Sequence, residues 1–496
     1  MPDYTPSPTG AGTSDLESAS DPDAVLFLPP AAVTPTPSTR SSDLVASTSS
    51  SGPFPVQPTP TGINTLSAPR PQVMVYYPDW AAAAFPPEKI DFNRIDWIDF
   101  AFAIPDAKLN LGWDGSDDAP KLLDRLVTAA HARGKKVKLS IGGWTGSKYF
   151  STAVATPANR QKFSQNILGI YKQYHLDGVD IDWEYPGQEG NKGNRVSSSD
   201  TANFLSFLQT LRAILPPDAK ITAATMTVPF ADSNGSPRGD VSAFGKVLDW
   251  ILIMNYDTWG SSNPPGPNAP LNDGCHNSTQ PHANAAAAVD TWTKAGFPAS
   301  RIVLGVPSYA YISRSTATSL RTRTFLDRRA GLHLSGAATD DIEAITEALP
   351  DLGLFNTDSY ENGAVLVTNE DGGTDNGQVQ FRELLRQGAL KYIPDSDASD
   401  MDYNRRGPLL YAGKTINNYF TGDHGFTRYW DQCSGTPFLR SEAARQVISY
   451  DDPQSLEIKA TFARQAGLLG VNMFDVHGDT DHWDLIDGLR RGLGLS

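Results

Sequence analysis

The stretch Asp177-Gly-Val-Asp-Ile-Asp-Trp-Glu-Tyr-Pro186 places three acids at alternate positions, Asp180, Asp182 and Glu184. On an extended strand alternate side chains share a face, so these three point one way while Val179, Ile181 and Trp183 point the other. A row of buried carboxylates is costly unless its members share protons or hydrogen bonds. That arrangement suits general acid–base chemistry, in which one carboxyl must keep its proton. Alternation alone is weak: with 56 acids among 496 residues, such a triplet arises by chance roughly once. A solvated edge strand would carry it equally well. The interleaved apolar residues and the surrounding elements favour a buried strand.

From Gln72 onward, short β-rich runs alternate with helical ones. Strands are predicted at 72–77, 95–104, 136–141, 178–183, 221–228, 247–255, 302–306 and 468–475. Helices are predicted at 119–133, 159–174, 200–215, 283–295, 454–466 and 483–493. The first helix carries Leu122, Leu123, Leu126, Val127 and Ala130 at helical spacing, and Gly134 ends it. Eight strands separated by helices predict an α/β fold, a (β/α)8 TIM barrel over 72–311 and 450–496. Active sites of this fold lie at the strands' C-terminal ends, where Glu184 falls. Residues 312–449 break the rhythm and are too many for a loop. They are expected to form a small α+β insertion walling the cleft, with a strand at 364–368, a helix around 379–390 and a strand at 426–430.

Residues 1–71 are rich in Ser, Thr and Pro and read as a disordered or O-glycosylated region. Their one apolar run, 24–33, holds two prolines and follows acids, unlike a signal peptide. The net charge of −15 makes nucleic acid and anionic membranes poor partners; a neutral polymer fits better. No apolar run approaches the ~20 residues that a transmembrane helix needs. Cys275 and Cys433 are too few for a disulfide scaffold or a cysteine metal cluster, and either one bridge or two free thiols fits them. Sequons at Asn234 and Asn277 are compatible with secretion but are short motifs.

Three further segments follow the barrel order: Lys138-Leu-Ser-Ile-Gly-Gly-Trp144, Ile253-Met-Asn-Tyr-Asp257 and Val303-Leu-Gly-Val-Pro-Ser-Tyr309. With the acidic segment they resemble the motifs of glycoside hydrolase family 18, the family of many chitinases. The stretch 266–273 is most similar to fungal members. The resemblance runs from Gln72 to the end of the chain.

That resemblance implies a substrate-assisted, retaining glycosidase. Glu184 would protonate the glycosidic oxygen and later act as base, with Asp182 raising its pKa by like charge. Asp182 would orient the substrate acetamide, Asp180 would hold its partner proton, and Tyr256 would donate to the acetamide oxygen with Asp257 nearby. The implied partner is chitin or N-acetylglucosamine oligosaccharides, cut by a monomer outside the cell without metal or organic cofactor. An enzyme acting on the chitobiose core of N-glycans, or a non-catalytic chitin-binding lectin, are the alternatives.

Sugar contacts are expected from Tyr77, Trp80, Trp144, Tyr185 and Tyr309, with Trp259 as a further aromatic candidate and Trp144 and Tyr185 favoured. Met254 and Asn255 join them by motif. Gly142 and Gly143 are expected to let backbone approach the sugar. One departure stands out. The family's eighth strand usually ends in Trp-Glu, its tryptophan flooring the cleaved sugar, whereas this chain has Phe474-Asp475. Phenylalanine keeps an apolar ring but loses area and the indole N–H.

Overall fold

Burial along the first strand sets the pattern for the molecule. In β1 (Gln72–Pro78), Val73, Val75 and Tyr77 enter the core between strands and helices, while Met74 and Tyr76 face the barrel interior. This computed structural model describes residues 70–320, 360–361, 363–393 and 409–495, all within one unit, Ser67–Ser496. The region expected to be disordered, apart from its last two residues, lies outside the described residues, as does part of the expected insertion.

Six more parallel strands follow: β2 (Trp97–Pro105), β3 (Lys136–Gly142), β4 (Gly178–Asp182), β5 (Lys220–Thr225), β6 (Trp250–Ile253) and β7 (Ile302–Pro307). Helices α1 (Ala119–His131), α2 (Pro157–Gln173), α3 (Asp200–Ile214) and α4 (Ala285–Lys294) lie between them. The α2 and α4 starts are set by Thr156 and Asn284, whose side-chain oxygens accept from Asn159 N at 3.1 Å and Ala287 N at 2.9 Å. Between β5 and β6 the described element is a single 3-10 turn, Phe244–Lys246, in place of a full helix.

After β7 the chain turns at Ser308 into a five-stranded antiparallel sheet, begun by β8 (Tyr309–Arg314). The sheet therefore starts before residue 312, because Tyr309 and Ala310 already pair with β9 (Gln378–Gln380). The helix expected around 379–390 is split. Gln378–Gln380 is strand, α5 (Phe381–Arg386) turns in Phe381 and Leu384, and Leu390–Tyr392 is strand again. β10 (Thr427–Asp431), β11 (Thr436–Ser441) and β12 (Gln446–Ser449) complete the sheet in the order β9-β8-β12-β11-β10.

The chain then re-enters the barrel through α6 (Pro453–Gln465), β13 (Gly470–Phe474) and α7 (Asp484–Leu493). β13 pairs in parallel with β7 and β1, and β1 with β2, which closes the eight-stranded barrel. Among the bonds that tie the inserted sheet to it, an ion pair and a disulfide stand out. Arg428 of β10 reaches Asp452, the α6 N-cap, at 2.7 Å with both side chains buried. Cys275, after β6, is disulfide-bonded to Cys433. No helix among the described residues is long and apolar enough to cross a membrane.

Candidate active site

Asp180, Asp182 and Glu184 sit where β4 opens at the C-terminal mouth of the barrel. The strand's outward residues anchor it: Trp183 stacks on Phe150 at 5.4 Å and meets Phe204 edge-on at 5.5 Å. Asp180 lies in register with Ser140 of β3 and Thr222 of β5. Both donate to its carboxylate, Ser140 Oγ at 2.9 Å and Thr222 Oγ1 at 2.5 Å, and Tyr76 OH adds a third bond at 3.0 Å. Asp180 was expected to hold the proton shared with Asp182; these three hydroxyls take three of the roughly four acceptor sites on its two oxygens.

The neighbouring acid is in the opposite condition. Asp182 is 4% exposed, and its Oδ1 has no hydrogen-bond partner among the described residues. Burial first, then the charges of Glu184, Asp180 and Asp99, hold its carboxyl well above the usual range. Glu184 is pushed up to about 7, chiefly by desolvation, with Asp257 adding to the rise. The expected like-charge push from Asp182 is thus not the leading cause. A hydrogen bond from Tyr185 to the Glu184 carboxylate works the other way.

The Glu184 backbone is fixed by residues that the motif reading passed over. Its N–H donates to Ser147 Oγ at 2.8 Å, and its carbonyl accepts from Asn194 Nδ2 at 3.0 Å. Gly190 leaves room for that carbonyl, which any side chain at 190 would strike.

Beyond β6, Tyr256 is held well above the ordinary phenol range by burial and by Asp182, Asp257 and Glu184, so it stays a donor facing the acids. Asp257 adopts a left-handed backbone (φ 57°) and opens to solvent at the cleft. It accepts from Tyr309 OH at 2.6 Å and Tyr311 OH at 2.8 Å. Loss of surrounding water in this concave site still raises its carboxyl, against the two hydroxyls. Met254 is half-buried against the inner barrel cluster. Asn255 is fully buried, its Nδ2 donating to Pro270 O at 3.1 Å, so it holds a loop in place.

Phe474 ends β13 with its ring 5.1 Å from Tyr76, 6.1 Å from Tyr256 and 6.3 Å from Tyr309, and stacked on Phe102 at 6.5 Å. Phe102 also lies 6.2 Å from Trp80. Trp80 and Trp144 are 46% and 51% exposed, enough for either to serve as a platform for an apolar sugar face. Tyr185, half-buried, belongs to Glu184.

One expected sugar contact, Tyr77, fails on direction. Tyr77 is fully buried in the outer core and donates to Phe85 O at 2.9 Å; its neighbour Tyr76 is the residue that faces the acids. A side chain at Gly142 would collide with the Asp182 carbonyl, and one at Gly143 would lie 3.1 Å from the Phe102 ring. The room those glycines leave on their side-chain side is filled by protein, which lets the chain pack closely there. Of the two sequons, Asn234 is on an exposed turn while both amide atoms of Asn277 are buried.

Beneath the acids lies a pair that sequence reading missed. Lys138 of β3 and Asp99 of β2, each 1% exposed, are 2.8 Å apart. The sequence signals were Lys138 between Val137 and Leu139 and Asp99 within the apolar run 97–102. Among the described residues no group of three His, Cys, Asp or Glu is placed to hold a metal.

Comparison with known proteins agrees with this geometry. The chain matches the family described as Glycosyl hydrolases family 18 over residues 72–479. A chitinase-like effector of Moniliophthora roreri is 34% identical over 424 residues, spanning 85% of this chain and 92% of that protein. Chitinase A1 of Niallia circulans is 26% identical over 359 residues, 69% of this chain and 40% of the relative. The crystal structure of a Rhizomucor miehei chitinase superimposes with a TM-score of 0.62 at 27% identity, covering 85% of this chain and 99% of the other. With its closed barrel and its acid row at the barrel mouth, this chain belongs to glycosyl hydrolases family 18.

Proposed function

We propose that the chain is a chitinase, hydrolysing β-1,4 bonds between N-acetylglucosamine units with retention of configuration. The observation that carries this reading is the pairing of Glu184, held near 7, with the buried and raised carboxyl of Asp182. An acid with that pKa is half protonated at neutral pH and can both give and recover a proton. Glu184 protonates the glycosidic oxygen as the bond to C1 breaks, and the acetamide carbonyl oxygen closes on C1. Asp182 holds the acetamide N–H, and Tyr256 donates to its oxygen. Water then opens the oxazolinium ion at C1 and leaves its proton on Glu184, which restores the enzyme.

The second reading is a chitin-binding protein without turnover. The name of the M. roreri relative, chitinase-like effector, leaves activity open, and Phe474 is the feature of this chain that favours it. Glu184 weighs against it, because a pure binder has no need of a raised acid. Action outside the cell is supported by the Cys275–Cys433 bridge, which fits an oxidising compartment.

The test is hydrolysis of N-acetylglucosamine oligomers by wild type and by Glu184→Gln, with circular dichroism to match the folds. Cleavage by the first and a loss of several orders of magnitude in the second are expected. Wild type that binds oligomers and never cleaves them would hand the site to the second reading.

A further inference from the structure

The barrel holds a buried cation beneath the acid row, and the chemistry above gives it no role. Lys138 pairs with Asp99 Oδ1 at 2.8 Å, donates to Thr222 Oγ1 at 2.8 Å and lies 4.7 Å from the centre of the Trp250 ring. An ammonium carries three protons and no lone pair, so it can only donate. Asp99 on β2, Thr222 on β5 and the Trp250 ring on β6 surround it, and Thr222 is the one that takes a hydrogen bond among the described residues. The β4 residue beside it is Gly178, where an added Cβ would lie 3.1 Å from Lys138 Cγ. If packing were the only need, an apolar side chain would meet it without the desolvation cost of a buried ion pair.

The consequence is felt at Thr222. Its hydroxyl has one proton, and its oxygen already accepts from Lys138. The proton is therefore committed to Asp180 Oδ1, 2.5 Å away. Asp180 Oδ2 accepts from Ser140 and Tyr76. We propose that Lys138 is a positioning residue for the reaction: it locks Thr222 as a donor to Asp180, which leaves the proton of the acid row to Asp182 and Glu184. This rests on the glycosidase reading of the site.

The titratable groups facing this path are Tyr76 on β1, Asp99 on β2, and Asp180 and Asp182 on β4. Tyr256 faces the acids from above, and β13 contributes Asn472, which donates to Asp99 Oδ2 at 2.9 Å.

Two variants of the full chain separate positioning from packing. Thr222→Val removes the relay and leaves the ion pair. Lys138→Met/Asp99→Asn removes both charges together, so that no lone buried ion remains. Each is assayed on an N-acetylglucosamine tetramer across acid to alkaline pH. We expect KM within about threefold of wild type and kcat lower by about tenfold or more, a loss typical of a misplaced proton-transfer group. With the proton drawn to Asp180, Asp182 carries more charge beside Glu184. The alkaline limb of kcat then moves upward by about half a pH unit or more. Thr222→Ser, which keeps the hydroxyl, restores both values.

Either variant that folds decides the matter. A wild-type kcat and pH profile in it overturns the proposal and leaves Lys138 as structure alone, whether or not the other variant folds. Should wild type cleave nothing, the glycosidase reading fails by itself. The relay is then read in the pH dependence of tetramer binding, where a displaced midpoint in the folded variant sustains it and an unmoved one overturns it.

Discussion

Asp180 and Asp182 stand two residues apart on one face of β4, yet Asp180 accepts from three hydroxyls while Oδ1 of Asp182 has no hydrogen-bond partner among the described residues. The first acid is built into the barrel; the second is free to serve a substrate. Their amide variants should differ accordingly. Asn at 180 replaces an acceptor oxygen with an NH2 facing hydroxyls that donate to it in the wild type, a mismatch worth about 1–3 kcal/mol. Asp180→Asn should therefore lower both stability and kcat. Asp182→Asn should lower kcat by ~10²–10⁴-fold at near wild-type stability. Urea denaturation beside oligomer hydrolysis reads both, and equal stability losses in the two variants would refute the distinction.

In the proposed reaction Glu184 must be protonated to act as acid, and burial pushes its carboxyl up to about 7. The rate should fall as pH rises through that value, approaching tenfold per pH unit above it. Tyr185 donates to the charged form and so holds the pKa down. Removing that hydroxyl favours the neutral acid. Tyr185→Phe should thus move the alkaline limb of kcat upward, and a downward shift would show that Tyr185 acts by another route.

The barrel and its acid row were legible because each depends on local pattern. Strand period put Asp180, Asp182 and Glu184 on one face, and glycines and prolines closed the strands. What failed depends on three-dimensional context. Tyr76 and Tyr77 have the same chemistry and differ only in strand phase, which a run as apolar as QVMVYY does not reveal. Ser147, Asn194 and Thr222 are ordinary polar residues until the fold brings them to Glu184 and Asp180. The inserted sheet was blurred because its short antiparallel strands carry little periodicity, and β9 runs directly into α5.

Phe474 is half-buried, and its ring is bordered by Tyr76, Phe102, Tyr256 and Tyr309. A larger ring can extend toward the open cleft and add apolar area beneath a sugar, at about 25 cal/mol per Å² covered. Phe474→Trp should tighten oligomer binding several-fold with kcat little changed. Calorimetric titration of the tetramer into an inactive Glu184→Gln background isolates that effect. Weaker binding would mean that the cage of rings has no room for indole.

The seam between the inserted sheet and the barrel should be the structure's most sensitive point outside the site. Arg428 donates to Asp452 Oδ2 through Nε at 2.9 Å and through a terminal nitrogen at 2.7 Å, and to Gln454 Oε1 at 3.0 Å. Asp452 also accepts from Ser455 N at 3.0 Å as the α6 N-cap, so one carboxylate both starts a helix and neutralises a buried arginine. Arg428→Met leaves that buried carboxylate with its N-cap bond but without its counter-ion and should cost about 3–5 kcal/mol. Adding Asp452→Ser removes the charge and keeps a good N-cap, so the double variant should recover most of the loss. A double-mutant cycle on urea midpoints measures the coupling. Simple additivity would mean that the guanidinium contributes packing alone, with the ion pair adding nothing to the hold between sheet and barrel.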